Sequence, residues 1–173
     1  MSSNYYITTP IYYVNDVPHI GHAYTTLACD VIARFKRLDG FNVFFLTGTD
    51  EHGQKVELAA KNKGVAPKEF VDEVSQNFRN LLKCMNFSND EFIRTTETRH
   101  LNSCEKIWKK LLENGSIYLD KYSGWYSVRD EAFYSETEIV DGTAPSGAPV
   151  EWVEEPSYFF NLSKWEDKLL KFY

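Results

Sequence analysis

Tyr5-Tyr6-Ile7-Thr8-Thr9-Pro10-Ile11-Tyr12-Tyr13, followed after a short turn by Pro18-His19-Ile20-Gly21-His22, decides the reading of this chain. The run is rich in β-formers and Pro10 marks its end, so residues 4–10 are predicted as a buried strand. From Ala23 the apolar positions Leu27, Ala28, Val31, Ile32 and Phe35 recur at helical spacing, and Asp39-Gly40 supplies the stop. Asn42-Val43-Phe44-Phe45-Leu46-Thr47 reads as a second buried strand. Two near-continuous apolar strands joined through one amphipathic helix predict a parallel pair with a crossover helix. The two histidines and their glycine therefore fall where a loop leaving a strand meets the start of a helix.

Working outward, a helix is predicted from Lys55 to Asn62, ending at Gly64. Pro67 suits the first turn of the next, whose inner face is Phe70, Val74, Phe78, Leu81 and Leu82. Glu91-Phe92-Ile93-Arg94-Thr95 is a short strand. A helix follows from Thr98 to Asn114, with Leu101, Ile107, Trp108, Leu111 and Leu112, stopped by Gly115. The texture then changes. From Ser116 to about Pro156, short alternating stretches broken by Gly124, Gly142, Pro145, Gly147 and Pro149 predict an antiparallel β appendage. Ser157 to Leu162 resumes an apolar strand, and Ser163 is placed to cap a helix from Lys164 onward. That helix meets Tyr173 without a stop signal, which reads as a cut chain. The expected organisation is an α/β unit over 1–115, the β appendage over 116–156 and the start of a further segment over 157–173.

An apolar content of 43% in 173 residues is enough for one ordinary core with a small addition. No apolar run approaches the roughly 18 residues of a bilayer span, and Met1-Ser2-Ser3-Asn4 lacks a basic segment followed by an apolar one. A soluble, cytoplasmic protein is expected. The net charge of −6 argues against a dedicated basic nucleic-acid domain. Cys29, Cys84 and Cys104 are odd in number and widely spaced, so they read as reduced, small core residues rather than a disulfide framework or metal knuckle.

A helix N-terminus offers unpaired N–H groups and about half a positive charge, and so binds phosphate. Gly21, without a Cβ, permits close approach to the backbone. His19 and His22, three residues apart, share one side of the helix and can both donate to phosphoryl oxygens. They could instead be surface histidines at a helix cap, or a metal pair. A second stretch, Gly48-Thr49-Asp50-Glu51-His52-Gly53, follows the strand that ends at Thr47, and ligands of parallel sheets gather beyond such strand ends. There Asp50 could hold a substrate ammonium or merely cap the next helix. Ile11 and Tyr13 could wall a small apolar pocket or simply pack in the core.

At this point the residues resemble a family. Thr8-Thr9-Pro10-Ile11-Tyr12-Tyr13, Pro18-His19-Ile20-Gly21-His22-Ala23-Tyr24 and Phe45-Leu46-Thr47-Gly48-Thr49-Asp50-Glu51-His52-Gly53 closely resemble the methionyl-tRNA synthetases. Phe92-Ile93-Arg94-Thr95-Thr96 and Gly124-Trp125-Tyr126-Ser127 do so as well, and the tetrapeptide is the HIGH signature of class I synthetases. The resemblance implies a Rossmann-type parallel-sheet nucleotide-binding half-domain with an inserted antiparallel appendage, the connective-peptide or knuckle region. It implies ATP contacts from His19, Gly21 and His22, with the two histidines catalytic. It also implies a methionine pocket using Ile11 and Tyr13, and Asp50 on the methionine α-amino group. The implied reaction joins L-methionine and ATP, carried with Mg²⁺, into methionyl-adenylate, then passes the methionyl group to tRNA(Met).

Two departures accompany this resemblance. Many relatives carry a zinc knuckle of C-x-x-C pairs in the appendage. Here Ser127-Val128-Arg129-Asp130 and Ala144-Pro145-Ser146-Gly147 stand in their place, so no zinc or other bound metal is expected. Packing of Trp125, Tyr126, Phe133, Tyr134 and Trp152 is expected to hold the appendage instead. The family's lysine-bearing K-M-S-K-S loop and anticodon-binding domain are also not among these residues, so the isolated chain is expected to be inactive or nearly so. The complete protein is expected to be monomeric. Competing readings are another nucleotidyltransferase with the H-x-G-H device, a non-catalytic RNA-binding module descended from a synthetase, and a metal hydrolase built on His19, His22, Asp50 and His52.

Overall fold

A computed structural model describes residues 3–173. The chain divides into two compact units after Cys104. The first is built on a parallel sheet. β1 (Asn4–Thr8) and β2 (Tyr12–Tyr13) lie along one edge of β3 (Asn42–Asp50), and β4 (Glu91–Arg94) lies along the other. β1 and β2 together form one interrupted strand, broken at Pro10, a residue with no amide hydrogen to give the ladder. α1 (Ile20–Leu38) makes the crossover into β3, while α2 (Gln54–Lys63) and α3 (Pro67–Cys84) lead from β3 to β4. The predicted parallel pair with its crossover helix is present.

α3 begins as its sequence dictates. Pro67 occupies the first turn behind an extended Ala66, where its missing N–H costs nothing. α2 ends at Gly64, whose φ of +73° lets its N–H turn back to the Ala60 carbonyl. The core forms where Phe70, Val71, Val74, Phe78 and Leu82 of α3 meet Val56 and Ala60 of α2, Tyr12, Val14 and Phe92.

Three sequence expectations need correction in this unit. β1 is not buried: its residues alternate between exposed and half-buried, and Tyr6 is 61% exposed, its ring 6.1 Å from that of Phe44. The predicted apolar stripe of α1 is likewise outside, with Leu27, Val31, Ile32 and Phe35 all exposed. The buried face of α1 is Ala23, Thr26, Asp30 and Ala33. Periodicity reveals an apolar face but not what covers it, and the small residues are the ones that let α1 pack on β3 and β1. The cysteines are free, yet Cys84 and Cys104 are exposed and Cys29 only half-buried, so they are not core residues. Cys84 lies two positions beyond the buried Leu82, about 200° around the helix from it.

Polar residues tie α1 to the loop before β4. Asp30 accepts from Arg34 Nε at 2.7 Å, from Ser88 N at 2.6 Å and from Ser88 Oγ at 2.5 Å. Arg37 reaches Asp90 at 2.7 Å, and the same Asp90 oxygen accepts from Phe45 N in β3 at 2.7 Å.

The second unit holds a separate antiparallel sheet in the order β6-β5-β7, formed by β5 (Ile117–Ser127), β6 (Ala132–Tyr134) and β7 (Glu151–Phe160). α4 (Thr98–Glu113) runs across the division between the units and buries none of its residues, the predicted apolar ones included. Ser157 does not start a new strand. β7 passes unbroken through Pro156 because β5 pairs with it from Ile117 to Tyr126. Nor does Ser163 cap a helix: the Asn161 side chain accepts from Lys164 N, a 3₁₀ turn spans Leu162–Trp165, and α5 (Glu166–Phe172) follows.

Of the five aromatic residues expected to pack in this unit, Trp125, Tyr126, Phe133 and Trp152 do so, while Tyr134 is tied through its hydroxyl. Trp125 and Trp152 meet edge to face at 5.4 Å, and Phe133 lies 4.4 Å from Tyr122 and 4.8 Å from Tyr126. A polar knot accompanies it. Asp130 accepts from Ser146 Oγ and from Tyr134 OH, while Arg129 donates to the Ser146 carbonyl at 2.7 Å. Hydrogen bonding, first from Ser146, holds the Asp130 carboxyl below its ordinary pKa. Among the described residues, no helix is long and apolar enough to cross a membrane.

Candidate functional site

The bend before α1 is closed by its own imidazoles. His19 is the N-cap, with extended backbone, and its Nδ1 accepts from Gly21 N at 3.1 Å. In return His19 N donates to His22 Nδ1 at 3.1 Å. This is a capping box in which histidines stand where Ser and Glu are usual. A ring nitrogen that accepts carries no proton, so each ring is neutral with its proton on Nε2. The rings stack with centroids 3.9 Å apart. Burial, then the neighbouring His19, lowers the His22 pKa and keeps it neutral.

The expectation of bare amides at this helix start holds for Ile20 N, which has no partner among the described residues, and is corrected for the next three. Gly21 N is taken by His19 Nδ1, and His22 N and Ala23 N both point at the His19 carbonyl. Beside that one amide, the bend offers the Nε2–H edges of two imidazoles. Gly21 has its own reason to be glycine: a Cβ there would lie 2.9 Å from His19 Cε1 and push the capping ring away.

Beside the bend lies a cleft of about 550 Å³, lined among others by Ile11, Tyr13, Asp16, Val17, His19 and His22. Five of the six candidate residues are thus brought together, Gly21 lying between the two lining histidines in the same bend. Asp50 is apart from that lining. It ends β3, level with Tyr13 in the β2–β3 register, and is half-buried. No partner holds its carboxylate among the described residues. It caps no helix either, since α2 starts from Gly53 without a side-chain cap.

The acid that the strand end buries is its neighbour. Glu51 is 4% exposed and accepts from Arg94 Nε at 2.6 Å and Nη2 at 2.9 Å, from Thr49 Oγ1 at 2.7 Å and from Thr96 Oγ1 at 2.5 Å. With its oxygens so occupied, Glu51 is a strut between β3 and the end of β4. His52 turns to the Thr95 carbonyl at 3.4 Å.

Sequence reading missed what surrounds His22. The Tyr12 ring lies 4.8 Å and the Phe78 ring 5.1 Å from its imidazole, and Tyr12 and Phe78 stack at 5.7 Å. The Tyr12 hydroxyl bonds Thr26 Oγ1 at 2.9 Å, and Thr26 donates to the His22 carbonyl at 2.9 Å. Burial raises the Tyr12 pKa against the opposing pull of those hydrogen bonds. The signal for Tyr12 was strand alternation, which turns Tyr12 inward and leaves Tyr13 exposed.

The family described as tRNA synthetases class I (M) matches residues 5–150. The chain belongs to this family. Among curated relatives of this class I synthetase chain, the methionine–tRNA ligase of Rickettsia felis is 68% identical over 100% of the chain and 34% of its own length. That of Mesorhizobium japonicum is 57% identical over 98% of the chain and 34% of its own length. Among solved structures, Mycobacterium tuberculosis methionyl-tRNA synthetase in complex with methionyl-adenylate is 50% identical, with a TM-score of 0.87, covering 99% of this chain and 35% of that one. The chain thus spans about a third of the length of the relatives it matches. Its fold is the mixed α/β architecture of this synthetase family: a parallel sheet with a separate small antiparallel sheet.

Proposed function

We propose that this chain supplies the amino-acid-activating site of a methionine–tRNA ligase. L-methionine and ATP react there to methionyl-adenylate and pyrophosphate, and the methionyl group then passes to tRNA(Met). The observation that carries the reading is likeness along nearly the whole chain to a synthetase holding methionyl-adenylate.

The chemistry suits the residues. The methionine carboxylate is already ionised at neutral pH, so attack on the α-phosphorus needs no general base. Its oxygen forms the new bond while the bond from the α-phosphorus to the bridging oxygen breaks, and pyrophosphate leaves with that electron pair. What remains for the protein is alignment of two anions and stabilisation of charge on the phosphoryl oxygens. The Nε2–H groups of His19 and His22 are donors for that charge, and Gly21 keeps their capping geometry open. ATP enters as its Mg²⁺ complex. Ile11 and Tyr13 flank the thioether, and the unpaired Asp50 carboxylate receives the α-ammonium. A missing methylene in such a pocket is worth only about 1–3 kcal/mol, so close analogues of methionine are poorly rejected by binding alone.

The complete enzyme is read as a cytoplasmic monomer. Structural zinc does not fit the second unit, because Ser127, Asp130, Ala144 and Gly147 provide no thiolate where a C-x-x-C knuckle would stand.

The test replaces the equivalent third of the Rickettsia felis ligase with these 173 residues and measures methionine-dependent ATP–pyrophosphate exchange. The chimera is expected to be active and the isolated chain nearly inactive. His22→Ala is expected to cost the chimera about 100-fold in kcat, as loss of one charge-stabilising donor does. An undiminished rate in His22→Ala overturns the catalytic reading of the bend.

A further inference from the structure

The His22 imidazole is held by more than its own motif. One face meets His19, and the rest of the ring lies against Tyr12 at 4.8 Å and Phe78 at 5.1 Å. Phe78 belongs to α3, far along the chain from the bend, and is 2% exposed. It stacks on Tyr12, whose hydroxyl is fixed by Thr26, so one aromatic block joins β2, α1 and α3 beneath the imidazole. The contact between Phe78 and His22 is edge to face, with an angle of 63° between the planes.

Edge-to-face pairs have a preferred orientation as well as apolar area. That preference opposes rotation of the imidazole about its Cβ–Cγ bond. Rotation would take Nδ1 off the His19 N–H and swing Nε2–H away from the cleft. We propose that Phe78 is the positioning residue of His22. It holds the ring in the one orientation that caps α1 with Nδ1 and aims Nε2–H outward. Phe78 touches no reacting atom and acts only through the imidazole. The proposal rests on the reading of His22 as a donor to ATP, and its test separates the two.

The experiment records long-range ¹H–¹⁵N spectra of the histidine rings in the chain with Phe78→Leu, which keeps an apolar side chain but removes the flat ring. In the unaltered chain, His22 is expected to show the widely split nitrogen shifts of a fixed Nε2–H tautomer. In Phe78→Leu the two shifts are expected to move together, as the ring samples both tautomers. Val71→Ala is the control: Val71 is a buried residue of the same helix and the same core, with no part in the aromatic block. It is expected to lower thermal stability while leaving the His22 shifts split. If Phe78→Leu fails to fold, Phe78→Met serves in its place. Split shifts retained in the Phe78 variant overturn the proposal, as does equal averaging in Val71→Ala.

In the Rickettsia felis chimera, Phe78→Leu is expected to lower kcat by about 10- to 100-fold, the scale of a small misplacement of a catalytic donor, with the KM for methionine unchanged. Averaged shifts with an unchanged kcat would leave Phe78 as positioner of the ring and remove the catalytic reading of His22.

Discussion

Asp30 sits within the buried face of α1, its side chain only 6% exposed, and yet stays ionised. Burial alone would raise its pKa. The Ser88 hydroxyl, Arg34 and the Ser88 amide together outweigh that and hold it below the ordinary 3.8. A carboxyl whose folded pKa is depressed binds fewer protons in the folded chain than in the unfolded one. The stability it contributes is therefore present above pH 3.8 and lost as pH falls through the lower folded value. Asp30→Asn is expected to cost about 1–3 kcal/mol at pH 7, the scale of disturbing buried charged hydrogen bonds. Urea unfolding at a series of pH values checks this: the gap between the variant and the unaltered chain should shrink below pH 3.8. A gap that is constant with pH refutes the assignment. The sequence disclosed the candidate residues unevenly at this scale. Short-range chemistry marked His19, Gly21 and His22, the resemblance singled out Ile11 and Tyr13, and the fold brings all five beside one cleft. The sequence placed Asp50 beyond a strand ending at Thr47, whereas β3 runs on to include it through its pairing with Tyr13, and the sequence did not show that the neighbour Glu51 would be the buried one. Phe78 carried only the mark of an ordinary core position. Its meeting with His22 is made by tertiary packing between distant helices, which no local pattern encodes.

Among the elements, β3 has least room to vary. It is paired on both sides, and at Gly48 it approaches β4 so closely that a Cβ would lie 2.1 Å from the Ile93 carbonyl oxygen and 2.6 Å from Ile93 Cγ2. The backbone oxygen cannot step aside as a side chain can. Gly48→Ala is therefore expected to force the β3–β4 ladder apart and cost about 3 kcal/mol or more, at the upper end of overpacking effects. Thermal unfolding measures it, and a melting temperature unchanged from that of the parent chain contradicts the close approach. Other elements show where periodicity sufficed. The spacing of Phe70, Val74, Phe78 and Leu82 identified the inner face of α3, because one apolar stripe there meets one core. α1 carries both an apolar stripe and a face of small residues, and the small face is the one against the sheet. β7 was legible only in part, since Pro156 reads as a break in isolation. Pairing with β5 carries the strand through it.

On the scale of the whole chain, apolar surface is the unresolved tension. The first unit shows solvent a stripe along α1 through Ile20, Tyr24, Leu27, Val31, Phe35 and Leu38, and also the Tyr6–Phe44 ring pair on its sheet. The second unit adds Leu119, Trp152, Tyr158 and Phe160. Single exposed apolar residues are ordinary, but a run of six along one helix makes a contiguous patch of the kind that drives association. β1 adds to this, because its only pairing among the described strands is with β3 and a bare strand edge templates further pairing. The isolated 173-residue chain is accordingly expected to self-associate with rising concentration, as sedimentation velocity would show. Val31→Lys combined with Phe35→Glu places charges in the middle of the α1 stripe at positions that contribute nothing to the buried face. That double variant is expected to shift the distribution toward monomer at equal concentration, with stability altered by no more than about 0.5 kcal/mol per site, as for ordinary surface substitutions. If the parent chain remains monomeric at high concentration, the stripe is not adhesive. If the double variant unfolds, Val31 and Phe35 bear on the core after all.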